Sequence, residues 1–140
     1  PDAVSASAAV SGTPVHSIAL RFGSSSAPGW AWDGARGVYA RSQGGAPDLD
    51  LSGVPYSAVN VVVLRVPVTV SESIPKTELI GSGEACVSSG GMTLCGTWSK
   101  DSRTAPIRLV DSTGTVIQLA PGNSWIELVP LGGSAEYVAP

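Results

Sequence analysis

Charged and chemically reactive side chains are scarce in this chain, and their scarcity narrows what it can do. Of its 140 residues, 14% are charged, the formal net charge is -3, and there is a single His. The Lys and Arg residues are scattered singly, whereas neutralising several phosphates requires a cluster of them. The composition therefore predicts that neither nucleic acid nor an anionic membrane is a partner.

Long apolar runs are missing as well. The longest, at residues 58–64, is far shorter than the ~20 residues that span a bilayer, so we expect no transmembrane segment in this chain. No basic-then-apolar signal segment opens the chain, which begins in a stretch of small residues. We expect residues 1–16 to form a linker-like segment. Residues 17–140 are then a single β domain, the C-terminal domain of a longer exported protein.

Recognisable catalytic signatures are absent from the sequence. His16 alone could serve a Ser/His/Asp triad, and no Ser carries a nucleophile signature. The glycine-rich stretches at 81–85 and 88–91 lack the spacing of a phosphate loop and are better explained as turns. The two cysteines and the histidine have no zinc-site spacing. The sequence thus predicts no metal and no cofactor, and it disfavours an enzyme while leaving one open.

Glycine and proline are plentiful, at 17 and 11 residues, and they divide the chain into short segments rich in Val, Ser and Thr. Ser17–Phe22 alternates apolar and polar residues, which is typical of a strand with one buried face. Val59–Val70 is apolar on both faces and predicts a central strand, while Gly81 and Gly83 predict a bulge or bend before the next hairpin. The predicted fold class is all-β, a single-domain antiparallel β-sandwich or partly open barrel built from short hairpins.

The two cysteines occupy matched positions around a glycine pair. If Gly90 and Gly91 form a two-residue type I′ loop, Cys86 lies directly opposite Cys95 on the neighbouring strand, within reach of a disulfide. The alternative is a pair of reduced, buried thiols. We favour the disulfide, which predicts an oxidising, extracytoplasmic location.

Two alternating carboxylates precede the predicted central strand. Asp48 and Asp50 would project to the same side of an extended segment, where they could share a cation or act as an acid/base pair. Aspartates at loop ends more often accept hydrogen bonds from the backbone of a turn. We therefore expect Asp48 to be a solvated loop residue, and Asp50 and Asn60 to satisfy backbone groups of the loop between them.

The aromatic residues offer a candidate ligand platform. Trp30 and Trp32 share one strand face, and Tyr39 and Arg41 share a face of the next strand. Such rigid aromatic side chains beside an arginine can stack sugar rings or hold a peptide. The alternative, which we favour, is that they belong to the core and its edge. Trp98 and Trp125 are expected to be core residues.

An ordered set of short motifs resembles the C-terminal domain of YerB-like bacterial lipoproteins, a family of unknown function. The motifs include WAWD, YAR, DLDLSG, NVVVL, GTWSK and LAPGNSWIELVP, and together they span residues 17–130. They place the family pattern on Tyr39, Arg41, Asp50, Asn60, Trp98, Lys100, Gly122 and Trp125. The resemblance implies a lipid-anchored cell-envelope protein with a larger preceding domain. The cysteines are not part of this pattern.

Three functions remain open at this point. The first is a noncatalytic domain that binds another envelope component or its own N-terminal domain. The second is a cell-wall or glycan-active enzyme with a cleft formed by Tyr39, Arg41, Asp50 and Asn60 and completed by that domain. The third is a carbohydrate-binding module that uses Trp30 and Trp32. The candidate binding residues are Trp30, Trp32, Tyr39, Arg41, Asp50, Asn60 and Lys100.

Overall fold

The computed structural model is built from β-strands. It describes residues 12–22, 27–44, 46–66, 68–71, 74–77, 81–102 and 106–140, with the backbone alone for 68–71 and 74–77. Within these ranges there are fourteen strands and no helix, and therefore no helix that could cross a membrane. The strands are β1 (Thr13–Pro14), β2 (Ser17–Arg21), β3 (Pro28–Asp33), β4 (Val38–Gln43), β5 (Ala46–Pro47), β6 (Ser57–Ala58), β7 (Asn60–Val66), β8 (Val68–Ser71), β9 (Ile74–Thr77), β10 (Gly81–Ser89), β11 (Met92–Lys100), β12 (Arg108–Val110), β13 (Ser124–Pro130) and β14 (Ser134–Val138).

Two main sheets form a β-sandwich and do not close into a barrel, so the all-β sandwich prediction is confirmed. The first sheet has the strand order β1-β11-β10-β7-β13, with β12 also paired to β11. The second has the order β14-β2-β3-β4-β5, with β6 also paired to β4. Strands β8 and β9 pair only with each other in the described residues.

One strand pair departs from the predicted antiparallel architecture. Strand β7 is central, as expected, but it pairs with β13 in parallel, from Ser124 beside Asn60 to Pro130 beside Val66. The two strands are far apart in sequence, and the pattern of side chains along each strand is the same for parallel and antiparallel pairing, so their relative direction could not be read from periodicity. This pairing brings the face of β13 that carries Trp125 and Glu127 over the second sheet.

Strand β7 separates two apolar clusters because side chains alternate between the faces of a strand. Val61 and Val63 pack between the sheets with Ile18, Leu20 and other residues of the second sheet. The opposite face of β7 packs on the other side of the first sheet, where the cluster comprises Val62, Leu64, Val66, Ala85, Val87, Trp98 and Ile117. Both faces of the first sheet are therefore covered around β7.

The glycines before the cysteine hairpin do not form the predicted bulge. Strands β10 and β11 pair without interruption from Gly81 beside Lys100 to Ser89 beside Met92. A Cβ at Gly83 would lie 2.5 Å from the backbone oxygen of Arg65 and 2.7 Å from Nε1 of Trp98, which donates to that oxygen over 2.8 Å. Gly83 therefore makes room for the Trp98 ring, which is why a glycine stands in a regular strand.

The cysteine hairpin has the predicted geometry. Gly90 and Gly91 both have positive φ angles, 62° and 80°, as a type I′ loop requires. Cys86 lies opposite Cys95, and the two form a disulfide with a Cα–Cα distance of 4.0 Å. The disulfide prediction is confirmed.

Part of the segment that we described as linker-like joins the fold. Thr13 and Pro14 pair with β11, and Val15 is buried. The backbone of His16 bridges the sheet, donating to Val138 and accepting from Trp32. Residues 1–11 lie outside the described part of the chain.

Two features lie toward the C-terminal end of the chain. Residues 115–120 form no strand and contain only an isolated bridge between Val116 and Val110. Strand β14 was not predicted, and it completes the second sheet by pairing with β2.

Candidate functional site

A partly buried arginine, Arg41, is held by carboxylates from two parts of the chain that are distant from each other in sequence. Arg41 on β4 donates from Nε and Nη2 to Oε2 of Glu127, each over 3.3 Å, and from Nη1 to Asp48. Its side chain is only 12% exposed. We call Trp30, Arg41, Asp48, Trp125 and Glu127 the arginine cluster.

The carboxylate of Glu127 is saturated by its neighbours. Besides Arg41, Trp30 donates to Oε2 over 3.1 Å and Trp125 donates to Oε1 over 3.2 Å. The guanidinium carbon of Arg41 lies 5.0 Å from the Trp125 ring centroid, within cation–π range. A buried carboxylate is tolerated only when it is paired and hydrogen-bonded, and these contacts meet that condition. Glu127 is thus used by the fold and is not available to a substrate.

Asp48 belongs to this cluster, which corrects the expectation that it is a solvated loop residue. Its side chain is 26% exposed and forms an ion pair with Arg41. Backbone hydrogen bonds also connect this segment to Arg41, because Asp48 N donates to Arg41 O and Arg41 N donates to Tyr56 O. Asp48 and Tyr56 therefore mark the base of a hairpin that leaves the sheet edge at Arg41. We call residues 48–56 the apolar hairpin.

The tip of the apolar hairpin is formed by Asp50. Oδ1 of Asp50 accepts from Ser52 N over 2.8 Å, from Ser52 Oγ over 2.6 Å and from Val54 N over 3.1 Å. These hydrogen bonds, with that of Ser52 Oγ the strongest, lower the pKa of Asp50. A carboxyl held in its ionised form by its own turn is poorly suited to exchange a proton with a substrate. The turn-capping interpretation of Asp50 fits the structure, and the acid/base role does not.

The side chains that leave the tip are apolar and exposed. Leu49, Leu51, Val54 and Tyr56 are all exposed, and Leu51 is fully exposed. The ring of Tyr56 also packs edge-on against Trp125, with centroids 5.5 Å apart, which connects the hairpin to the arginine cluster. One hairpin thus carries four exposed apolar side chains within eight residues, and grouped exposed apolar residues are typical of interaction surfaces.

A second hairpin repeats the turn of the first atom for atom. Oδ1 of Asp111 accepts from Thr113 N over 2.9 Å, from Thr113 Oγ1 over 2.6 Å and from Thr115 N over 3.0 Å. The glycines that follow, Gly53 and Gly114, have φ angles of 84° and 85°. The shared sequence signal is Asp-x-Ser/Thr-Gly, which occurs as DLSGV at 50–54 and DSTGT at 111–115.

The two hairpins differ in their side chains. Ser112 takes the place of Leu51 at the tip, and Thr115 takes the place of Val54. The residue that corresponds to Tyr56 is Ile117, which is buried in the second apolar cluster. The turn forms equally well with polar side chains, so the exposed leucine and valine of the apolar hairpin are not needed to build it.

Asn60 is a structural residue in the first sheet. It is buried, its Nδ2 donates to Ala120 O and Ser124 Oγ, and its Oδ1 accepts from Ala120 N and Ser89 Oγ. These contacts fix the start of β13 beside β7. The expectation that Asn60 serves the loop after Asp50 is wrong, because its partners lie at 89 and 120–124. Its hydrogen-bonding groups are all used inside the fold.

The two tryptophans of β3, Trp30 and Trp32, differ in exposure. Trp30 lies opposite Arg41 and Trp32 opposite Tyr39, as β3 pairs with β4. Trp30 is 1% exposed, so it offers no platform for a sugar ring. Trp32 is partly buried against Tyr39, with ring centroids 4.8 Å apart.

Tyr39 and Lys100 complete the set of predicted residues. Tyr39 is buried and its hydroxyl accepts from Gly91 N over 3.0 Å; burial raises its pKa to about 12. Lys100 ends β11 on the first sheet, beside Gly81. The structure therefore brings Arg41 together with Asp48 and Glu127, and not with Asp50, Asn60 or Lys100.

Comparison with known proteins agrees with this architecture. Residues 18–126 match the model of a family described as the C-terminal domain of a protein of unknown function, DUF3048. The chain belongs to this family. The YerB protein from Bacillus subtilis has a similar solved structure, with a TM-score of 0.76 and 19% sequence identity over 89% of this chain and 44% of that one. No curated protein matches.

These matches confirm the predicted family and fold. The chain spans less than half the length of the YerB chain that it matches, and at 19% identity the likeness shows the fold alone. For the DUF3048 C-terminal domain, function has to be argued from the site. No group of His, Cys, Asp or Glu suited to a metal occurs in the described residues.

Proposed function

We propose that this chain is a noncatalytic interaction domain of a bacterial cell-envelope lipoprotein, and that it docks through the apolar hairpin onto the remainder of its own full-length polypeptide. The observation that carries the proposal is the hairpin itself. It exposes four apolar side chains, and two of them, Leu51 and Val54, are replaced by Ser112 and Thr115 in the second hairpin, which forms the same turn without them.

The hairpin is held rigidly, which suits a docking element. Its base is tied to Arg41 by the Asp48 ion pair and by backbone hydrogen bonds, and its tip is closed by Asp50. A surface that is ordered before binding loses little conformational entropy when it docks. Burying Leu51 alone would contribute about 2 kcal/mol.

The length of the related structure supports a partner within the same polypeptide. More than half of the YerB chain lies outside the part that this chain matches. An extracytoplasmic location is compatible with the disulfide, and lipid anchoring follows from the family resemblance alone. The enzyme hypothesis has less support, since Asp50 and Asn60 are occupied inside the fold.

A single introduced thiol tests the docking. Both cysteines of the chain are in the disulfide, so Leu51→Cys adds the only free thiol to this domain. Its maleimide labelling rate is measured in the isolated domain and in the full-length protein. We expect at least tenfold slower labelling in the full-length protein. Ser112→Cys, at the same position of the second hairpin, is the control and should label alike in both. Equal rates for Leu51→Cys in the two proteins would contradict the proposal.

A further inference from the structure

The charge of the apolar hairpin specifies the surface that it fits. Residues 46–59 contain two carboxylates, Asp48 and Asp50, and no Lys or Arg. Asp50 lies at the tip with its carboxylate at the surface, and its turn keeps it ionised by lowering its pKa. The exposed Leu51 is thus next to a fixed negative charge.

The base of the hairpin also carries a net negative charge. Arg41 contributes one positive charge to the arginine cluster, whereas Asp48 and Glu127 contribute two negative charges. Arg41 is 12% exposed and Asp48 is 26% exposed, so the carboxylate is the more accessible group. A partner that approaches the hairpin meets apolar side chains flanked by negative charge at both ends.

We infer that the hairpin docks into an apolar recess rimmed by Lys or Arg on the remainder of its own full-length polypeptide, with Leu51 entering the recess and a basic residue pairing with Asp50. This inference rests on the proposed function and adds the chemistry of the partner. Complementary charge at the rim of an apolar contact sets orientation and suppresses wrong partners.

A membrane is the other apolar surface that an exposed leucine could enter. Anionic lipid headgroups attract basic segments, and each Lys or Arg near the surface adds to binding. The hairpin has the opposite charge, so it would be repelled from such a surface. The same argument favours a basic protein surface.

The test uses the labelling rate of Leu51→Cys in the full-length protein, with two charge variants. Asp50→Asn keeps the Oδ1 acceptor of the turn but removes its charge, and Asp111→Asn makes the same change in the second hairpin. We expect Asp50→Asn to raise the labelling rate by about 1.5-fold to fivefold, the range for one exposed ion pair. Asp111→Asn should leave the rate unchanged. Raising NaCl from 50 to 500 mM should also speed labelling.

The outcomes separate the two proposals. If Leu51→Cys is protected but neither Asp50→Asn nor salt changes its rate, the hairpin docks and the basic partner is wrong. If Leu51→Cys is never protected, the proposed function itself fails. If phosphatidylglycerol vesicles protect Leu51→Cys in the isolated domain, the occupant is a membrane and the inference is overturned.

Discussion

Glu127 is the residue on which the contact between β13 and the second sheet depends. It is the one charged residue that is buried in the described part of the chain, and it receives hydrogen bonds from Trp30, Arg41 and Trp125. Removing one partner of a buried pair leaves the other charge in an apolar environment without compensation. We therefore expect the loss of one charge from the arginine cluster to lower the stability of the protein even where the side-chain volume is unchanged.

We predict that Glu127→Gln destabilises the protein by about 3 kcal/mol, because Arg41 loses one of its two carboxylates and the amide cannot accept from both tryptophans. Urea unfolding followed by tryptophan fluorescence measures the change. Glu136→Gln removes an exposed carboxylate on β14 and should change the free energy of unfolding by no more than about 0.5 kcal/mol. Equal stabilities of the two variants would show that the cluster is not a determinant of stability.

At the scale of an element, the regular pairing of β10 with β11 depends on a position that has no side chain. Gly83 lies opposite Trp98, and the Trp98 ring crosses it to reach the backbone of Arg65. Any side chain at 83 would meet backbone as well as the indole, and backbone cannot move aside. The second apolar cluster is therefore built around this glycine.

Gly83→Ala is expected to destabilise the protein by about 1–3 kcal/mol, the usual cost of overpacking a core. Thermal unfolding monitored by circular dichroism tests this. Gly132→Ala serves as the control, because a Cβ there would meet no atom within 4 Å. If the two variants unfold at the same temperature, the strand has room for a methyl group at position 83 and our interpretation is wrong.

The sequence predicted local features better than distant ones, and particular residues show why. Cys86 and Cys95 were paired correctly because they flank a two-residue loop, so the register follows from counting. The strand Ser17–Arg21 was located by its alternation. Glu127 was missed because its partners Trp30 and Arg41 lie 97 and 86 residues away. Nothing in the alternation of β13 distinguishes a buried carboxylate from an exposed one.

The candidate site was predicted only in part for the same reason. Arg41 was grouped with Asp50 and Asn60, whereas in the structure it pairs with Asp48 and Glu127. Asp48 and Asp50 were expected on one side of an extended segment. In the structure Asp48 pairs with Arg41, whereas the carboxylate of Asp50 is bonded within its own turn. The recurrence of the turn at Asp111 has a local signal in the sequence, the pattern Asp-x-Ser/Thr-Gly that both turns share.

At the scale of the whole molecule, the disulfide adds stability without defining the fold. Cys86 and Cys95 are 9 residues apart, and β10 is also held by β7 on its other side. Reduction should lower the free energy of unfolding by about 2.5–3 kcal/mol on the chain-entropy account while the far-UV circular dichroism spectrum stays native. Urea unfolding with and without a phosphine reductant measures both. A change below about 0.5 kcal/mol would mean that the bridge does not constrain the unfolded chain.

The parallel pairing of β7 with β13 also determines when the domain can fold. Asn60 and Ser124 are 64 residues apart, so the chain must close a long loop before this part of the first sheet exists. Domains dominated by such distant pairings fold slowly, in about milliseconds to seconds. Until residues 124–130 have been synthesised, β7 lacks one neighbour and Arg41 lacks Glu127. The growing chain therefore has no complete native structure to adopt before its last strands emerge from the ribosome.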